Sequence, residues 1–254
     1  MKKILILYFS GVGATKRIAV LIHTRLAMYC NVDIFSIESK EPLNIDCYDA
    51  IVIGTPTYHA APATILMDYL GAMSKFDKQV PSFIYNTHGL SSFNTNRILA
   101  KQLLRKNIVT IMDRAYRSPA SDGSIIAPFV ARFFEFEKEL ENKLDRDCED
   151  FLELLIKDTP QGYIPRFQFS SIINALNKAV GQLITFKIHL HKGKCVKCGK
   201  CITRCPYEAL GADTDGYPFF SSKNCKNCYR CIHHCSKMAL SLSKRCAPKR
   251  LLRY

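Results

Sequence analysis

The chain has 254 residues, of which 48% are hydrophobic and 12 are cysteine, and its formal net charge is +14. This composition is normal for a globular protein of one or two domains. Only six apolar or aromatic residues follow Met1-Lys2-Lys3, too few for a secretory signal, and no apolar run could span a membrane. We therefore expect a cytoplasmic protein whose cysteines bind metal or take part in redox chemistry.

Charge and cysteine are distributed unevenly along the chain. Residues 1–160 contain 19 Lys+Arg and 19 Asp+Glu, whereas residues 161–254 contain 17 Lys+Arg and 3 Asp+Glu. Nine of the 12 cysteines lie after residue 194. We predict a first domain over residues 1–158, a connector with an amphipathic helix over 159–191, and a second domain over 192–254.

Strand and helix patterns alternate in the first domain. Apolar runs of strand length cover residues 3–9, 32–37, 48–54, 80–85 and 108–112. Apolar residues recur at helical spacing over 18–29, 65–73, 98–104 and 129–157, and again over 172–184 in the connector. This alternation predicts an α/β fold with a doubly wound parallel sheet of five strands. The connector helix would bridge the domains or bind a membrane surface.

The loop after the first strand carries the sharpest chemical signal of this domain. It reads Ser10-Gly11-Val12-Gly13-Ala14-Thr15 and leads into a helix. Such a loop presents free backbone N–H groups to an anion, and glycine permits close approach. The loop has no lysine, so it is not an ATP-binding P-loop, and it lacks the third glycine of a dinucleotide fingerprint. A single terminal phosphate is the ligand that we predict.

Three loops together resemble the flavin-binding loops of flavodoxins. Residues 8–15 resemble the phosphate loop, although Val12 replaces the usual threonine, and residues 54–58 resemble the second flavin loop. Residues 86–89 stand where the third loop would be. The resemblance implies an FMN-binding domain in which Tyr58, His59 and His88 flank the flavin ring. The cofactor-binding residues that it implies are Ser10, Gly11, Val12, Gly13, Ala14, Thr15, Pro56, Thr57, Tyr58, His59, Asn86, Thr87, His88 and Gly89.

The second domain contains two cysteine runs of the same spacing. Cys195, Cys198, Cys201 and Cys205 are followed by Pro206, and Cys225, Cys228, Cys231 and Cys235 are followed by Ser236. Structural zinc, the main rival, usually takes four ligands in two pairs. The runs resemble those of bacterial two-cluster ferredoxins and imply two [4Fe–4S] clusters. By the crosswise rule of that family, quartet A is Cys195, Cys198, Cys201 and Cys235, and quartet B is Cys205, Cys225, Cys228 and Cys231.

Basic residues surround these cysteines. They are Lys194, Lys197, Lys200, Arg204, Lys226 and Arg230. Such a surface could steer an acidic redox partner protein to the clusters, or it could be a solvated face without a partner. We see no nucleic-acid-binding motif that would favour nucleic acid as the partner. The sequence leaves open whether the chain forms a homo-oligomer, and Cys246, outside both runs, is interpreted as structural.

The whole chain resembles fusions of a flavodoxin-like domain with a two-cluster ferredoxin domain, the iron–sulfur flavoproteins of anaerobes. The resemblance implies an electron-transfer protein that passes electrons between FMN and the clusters, converting two-electron into one-electron transfer. One alternative is a ferredoxin-linked flavin reductase of a small molecule, with Tyr58, His59 and His88 as candidate proton donors. Another is a cluster-based redox sensor. The sequence names no substrate and does not decide whether the protein is an enzyme.

Overall fold

The structure is a computed structural model that describes residues 1–39, 45–121, 123–126, 135–157, 161–169, 188–221, 224–242 and 252. The connector helix predicted over 172–184 and Cys246 lie outside these ranges. Among the residues described, no helix has the length and apolar character needed to cross a membrane.

A parallel sheet forms the centre of the first domain. Its strands are β1 (Lys3–Tyr8), β2 (Asn31–Ser36), β3 (Ala50–Tyr58), β5 (Val80–His88) and β6 (Ile108–Arg117). They lie in the order β2-β1-β3-β5-β6, and every neighbouring pair is parallel. A short strand, β4 (Ala61–Pro62), turns back antiparallel to the end of β3. The central strands are buried because helices cover both faces of the sheet.

Helices on the two faces create two separate cores. The helices are α1 (Ala14–Leu26), α2 (Thr64–Ala72), α3 (Thr95–Leu104), α4 (Gly123–Ile126) and α5 (Leu140–Ile156). One core joins the sheet to α1 and α5, and the other joins it to α2 and α3. The predicted five-stranded, doubly wound α/β fold is therefore confirmed.

Several element boundaries differ from the sequence prediction. β3 and β5 run on to Tyr58 and His88, because the residues predicted as loops continue the pairing with neighbouring strands. The long helix predicted from residue 129 begins at Leu140 in the described part of the chain. Tyr29 and Leu104, predicted to belong to apolar helix faces, are 60% and 48% exposed because they lie beyond or at the helix ends.

The second domain is built from short elements that repeat every 30 residues. They are β7 (His189–Leu190), α6 (Lys200–Thr203), β8 (Leu210–Ala212), β9 (Pro218–Phe220), α7 (Arg230–His233) and β10 (Leu240–Ser241). Strand β10 pairs with β7, and β8 with β9, both antiparallel. The repeat extends to the backbone, since Lys197 and Asn227 are both left-handed, with φ of 54° and 53°. Each repeat thus folds the same local sequence pattern in the same way.

Candidate cofactor-binding sites

The first loop leaves the sheet at the carboxyl end of β1 and leads into α1. Gly13 has a φ of 105°, a left-handed conformation that glycine adopts without strain, and its N–H donates to Ser10 Oγ at 3.1 Å. At Gly11 a Cβ would lie 2.0 Å from the Tyr58 hydroxyl, so the missing side chain lets Tyr58 approach the loop. The Thr15 hydroxyl lies 2.8 Å from that of Thr87 and is buried. The first loop and the end of β5 are thereby fixed together.

A cavity of about 400 Å³ lies at this edge of the sheet. Loops after parallel strands meet at their carboxyl ends, where α/β proteins bind ligands. Twelve of the fourteen residues predicted for FMN line this cavity: Ser10, Gly11, Val12, Ala14, Thr15, Pro56, Thr57, Tyr58, His59, Thr87, His88 and Gly89. The structure therefore brings the three predicted loops together around one space.

Two of the predicted residues lie outside the cavity lining. Gly13 forms the turn into α1, as described above. Asn86 is fully buried; it accepts a hydrogen bond from Thr57 Oγ1 at 3.1 Å and donates one to Asn96 Oδ1 at 2.9 Å. Its amide is thus used beneath the second loop, where it supports Thr57 rather than facing the cavity.

His88 combines burial with an unused ring nitrogen. Its Nδ1 atom is buried and has no hydrogen-bond partner within the described residues. Burial is the main cause that lowers the pKa of His88, so the neutral imidazole is favoured at pH 7. Buried polar atoms normally have partners, so an orphaned nitrogen in a cavity-lining residue fits a ligand with polar groups.

Sequence reasoning missed other parts of the cavity wall. The chain after β6 contributes Ser118, Pro119, Ala120 and Ser121, and the second domain contributes Asn227 and Tyr229. The segment after β6 could have been found, because it follows the fifth parallel strand and must emerge at the same edge. Asn227 and Tyr229 gave no such signal, since they lie within a cysteine run far along the chain.

The two cysteine quartets surround two separate spaces. One is lined by Cys195, Cys198, Cys201 and Cys235, and the other by Cys205, Cys225, Cys228 and Cys231. These are quartets A and B as the ferredoxin resemblance groups them. No three or more His, Cys, Asp or Glu side chains of the described ranges are arranged to hold a single metal ion. Four thiols around each space are a donor set that fits a [4Fe–4S] cluster.

The quartets differ in burial. Cys198 of quartet A is exposed, whereas Cys228 and Cys231 of quartet B are buried and each 7% exposed. Burial raises the pKa of Cys228 to about 11 and holds that of Cys231 well above its ordinary value. Iron binds the thiolate form, so metal binding at quartet B releases protons from these thiols.

Two backbone N–H groups point at equivalent sulfurs. Ala209 donates to Cys205 Sγ at 3.3 Å, and Ala239 donates to Cys235 Sγ at 3.2 Å. Hydrogen bonds to ligand sulfurs are one of the factors that set the potential of an iron–sulfur cluster. The repeat therefore supplies one such bond to a member of each quartet.

Five of the six basic residues predicted around the cysteines are exposed: Lys194, Lys197, Lys200, Arg204 and Lys226. Arg230 is not part of this surface, because it is 8% exposed and its guanidinium contacts the first domain. The prediction that Arg230 contributes to a basic surface is therefore wrong. Its sequence context, a basic residue beside a cysteine ligand, gave no indication of the difference.

The second domain contacts the first beside the cavity. A Cβ on Gly11 would lie 3.6 Å from the Cys228 carbonyl oxygen, so the first loop abuts the quartet B loop. His233 Nε2 lies 2.8 Å from the carbonyl oxygen of Ser121, which lines the cavity. Its Nδ1 accepts a hydrogen bond from the N–H of Leu252, so Nε2 carries the proton and donates to Ser121.

Both domains match known protein families. Residues 5–110 match the family described as "Flavodoxin domain", and residues 178–240 match that described as "4Fe-4S dicluster domain". Pyruvate synthase subunit PorD of Pyrococcus horikoshii is 43% identical over 68 residues, which are 27% of this chain and 60% of that protein. A ferredoxin of Pyrobaculum islandicum is 33% identical over 55 residues, 22% of this chain and 51% of that protein.

A third relative is covered over more of its length. PorD of Methanocaldococcus jannaschii is 32% identical over 68 residues, 27% of this chain and 79% of that protein. Among solved structures, a Streptococcus pneumoniae TIGR4 flavodoxin has a TM-score of 0.47 and 13% identity, covering 59% of this chain and 98% of that one. A flavoprotein of Lactobacillus acidophilus NCFM in complex with FMN has a TM-score of 0.39 and 18% identity, covering 45% and 93%.

The matched families support two [4Fe–4S] clusters and FMN as the cofactors, and they indicate electron transfer. The thiol quartets and the cavity fit these groups by donor chemistry and by lining. Residues 5–110 thus match the flavodoxin-domain family, and the chain belongs to the 4Fe-4S dicluster ferredoxins over residues 178–240.

Proposed function

We propose that this protein is an electron-transfer iron–sulfur flavoprotein of the cytoplasm, in which electrons pass between FMN in the first domain and clusters held by quartets A and B. When bound, FMN takes up two electrons and releases them singly, which matches the one-electron chemistry of each cluster. The chain's residues supply position, burial and hydrogen bonds around both cofactors.

The observation that carries this proposal is the shared wall between the cavity and quartet B. Asn227 and Tyr229, the neighbours of Cys228 on either side, line the cavity. The quartet B loop therefore separates the two candidate cofactor sites with no further layer of protein between them. Quartet A lies on the outer side, where Cys198 is exposed. This arrangement supports an order of transfer from the surface through quartet A and quartet B to the flavin.

The composition of the purified protein tests the proposal first. Material prepared without oxygen should contain about eight irons and about one FMN per chain, measured with acid-labile sulfide and released flavin. Zinc in place of iron, or an absence of flavin from freshly prepared protein that cannot be restored by added FMN, would overturn it.

Rapid mixing tests the transfer itself. After addition of a substoichiometric reductant, electrons should redistribute between the flavin and the clusters. The rate of this redistribution, followed by the absorbance of each cofactor, should not change with protein concentration. Such a first-order rate is expected because both cofactors belong to one chain. A rate proportional to protein concentration would mean that electrons move only between molecules, and it would contradict the proposed intramolecular route.

A flavin reductase acting on a small molecule is the second candidate, and His88 is the observation that favours it. Its buried, unpartnered Nδ1 belongs to a residue of the cavity wall, where it could hydrogen-bond a substrate as well as the flavin. Steady turnover of an organic acceptor by the cluster-loaded protein, lost in His88→Ala with FMN still bound, would support this activity. Unchanged turnover in that variant would show that His88 takes no part in the reaction.

The exposed basic residues around quartet A suit an acidic redox partner, which we propose docks there. Three of the curated relatives are named as a subunit of pyruvate synthase. Exchange of electrons with a larger oxidoreductase is accordingly the kind of partnership that we propose for this chain. Charge complementarity would accelerate encounter with such a partner.

A further inference from the structure

Arg230 joins the quartet B loop to the first loop of the other domain. It begins α7 between Cys228 and Cys231, and its Nε donates to the carbonyl oxygen of Gly11 at 2.9 Å. One Nη2 hydrogen bond goes to the carbonyl oxygen of Ser10 at 2.7 Å. The guanidinium also lies over the ring of Phe9, 5.2 Å from its centroid.

The remaining N–H groups of Arg230 are also used. Nη2 donates to Glu38 Oε2 at 2.7 Å, Nη1 donates to Glu38 Oε1, and Nη1 donates to the carbonyl oxygen of Arg204 at 3.3 Å. A guanidinium has five N–H donors, and all five are therefore satisfied. Glu38 balances the charge, so the side chain is fixed by a planar fork that lysine could not reproduce.

This fork fixes which way the first loop presents its N–H groups. In a trans peptide the C=O and N–H bonds point in opposite directions. Because Arg230 holds the carbonyls of Ser10 and Gly11, the N–H groups of Gly11 and Val12 in the same two peptides point away from it. Both residues line the cavity. Neither N–H is found donating to a backbone or side-chain acceptor in the part of the chain described.

The repeat shows that this contact is not a requirement of the ferredoxin fold. Thirty residues earlier, Lys200 occupies the position equivalent to Arg230, at the start of α6, and its side chain is exposed. The same cysteine spacing therefore folds without a buried arginine at this position. Arg230 is explained by the neighbouring loop rather than by the cluster motif.

We propose that Arg230 is a positioning residue that couples cluster binding at quartet B to phosphate binding at the first loop. The inference rests on the proposed function, because it assigns the FMN phosphate to N–H groups that Arg230 orients. Assembly of the cluster fixes α7 and hence the loop, which raises the affinity for a phosphate monoester. Because the coupling of two binding equilibria is reciprocal, bound FMN stabilises the quartet B cluster equally.

Flavin binding by cluster-loaded protein tests the proposal, with FMN and riboflavin as probes. We expect Arg230→Gln to raise the dissociation constant for FMN roughly tenfold, within the usual range of coupled sites, as measured by quenching of flavin fluorescence. The dissociation constant for riboflavin, which has no phosphate, should stay the same. Lys200→Gln, the matched control from the other repeat, should change neither value.

Two results would overturn the coupling. One is unchanged FMN affinity in Arg230→Gln; the other is equal weakening of FMN and riboflavin, which would indicate general damage to the fold. If the unaltered protein bound no FMN at all, the proposed function itself would fail. An intact Arg230→Gln variant that binds FMN normally would contradict only the role of Arg230.

A second measurement covers the case in which Arg230→Gln loses its iron. Arg230→Lys keeps the charge but cannot hold both carbonyls and Glu38 together. In the unaltered protein, saturating FMN should slow the release of quartet B iron to a chelator, and saturating riboflavin should not. In Arg230→Lys the protection by FMN should shrink or vanish. Equal protection by FMN in both proteins would contradict the proposal.

Discussion

The two cysteine repeats share their spacing and their local backbone, yet they meet different surroundings. In the first repeat Lys200 and Thr203 are exposed and Gly199 is half-buried, whereas the equivalent residues Arg230, His233 and Tyr229 are buried against the first domain. The same cysteine spacing is therefore compatible with either an exposed or a buried position. The residues between the cysteines, rather than the cysteines themselves, therefore decide which repeat is exposed and which packs against the cavity of the first domain.

Removing one cysteine ligand from each repeat should have the most different consequences for the two repeats. Cys198→Ala should lower the iron content from about eight to about four per chain and leave FMN in place, because quartet A lies away from the cavity. Cys228→Ala should also lose iron and in addition weaken FMN binding, because its loop abuts the first loop. Iron analysis and flavin titration, performed without oxygen, give both numbers.

Equal FMN affinity in the two cysteine variants would mean that quartet B affects FMN binding no more than quartet A does. Loss of FMN from Cys198→Ala would contradict the separation of quartet A from the first domain. Circular dichroism of each variant controls for global unfolding.

A charge reversal at quartet A tests the proposed docking of an acidic partner at the exposed repeat. Lys197→Glu should slow reduction by a small acidic ferredoxin roughly tenfold at low salt, because it weakens electrostatic steering toward the exposed repeat. Added salt should slow the unaltered protein and reduce the difference, since screening shortens the range of these interactions. Stopped-flow mixing at several ionic strengths measures both effects.

Lys157→Glu is the matched control, since Lys157 is exposed at the end of α5 in the first domain. It makes the same change of net charge at a different place. Equal slowing in the two variants would show that only the net charge of the protein matters. Rates that do not change with salt would contradict a role of the exposed basic residues in docking.

Neutralising Glu38 should change the reduction potential of one cluster only, by less than the changes above. Glu38→Gln removes the negative charge that balances Arg230, so a net cation is left beside quartet B. That cation should favour the reduced, more negative cluster and raise its potential, while the cluster of quartet A stays unchanged. A redox titration followed by electron paramagnetic resonance separates the two signals. A shift of both clusters by the same amount would contradict the assignment.

Local patterns predicted most of the first domain. Apolar runs found the five parallel strands, because buried strands need apolar residues on both faces. The same patterns failed where tertiary pairing decides the outcome. Polar residues such as Thr57 and Thr87 continue β3 and β5 because neighbouring strands hold them. Likewise, Asn86 resembled a ligand residue but is used to support Thr57.

The contacts between the domains could not be predicted in this way. Arg230 and Lys200 look alike in sequence, since both are basic residues two positions after a cysteine and one before the next. Only the folded arrangement places Ser10 and Gly11, more than two hundred residues earlier in the chain, against one of them. The cysteine spacing was informative for the opposite reason: a cubane demands close ligands, so its signature is local.

Tyr229 shows what the contact requires of the backbone. Its φ is 56°, close to the 68° of Gly199 at the equivalent position of the other repeat. A side chain in this left-handed region costs roughly 1–3 kcal/mol, which glycine would avoid. The fold therefore carries this cost in conformational stability, and an aromatic ring lies in the wall shared by the flavin cavity and quartet B. Glycine at position 229 would avoid the cost, but it would leave that wall without its largest side chain.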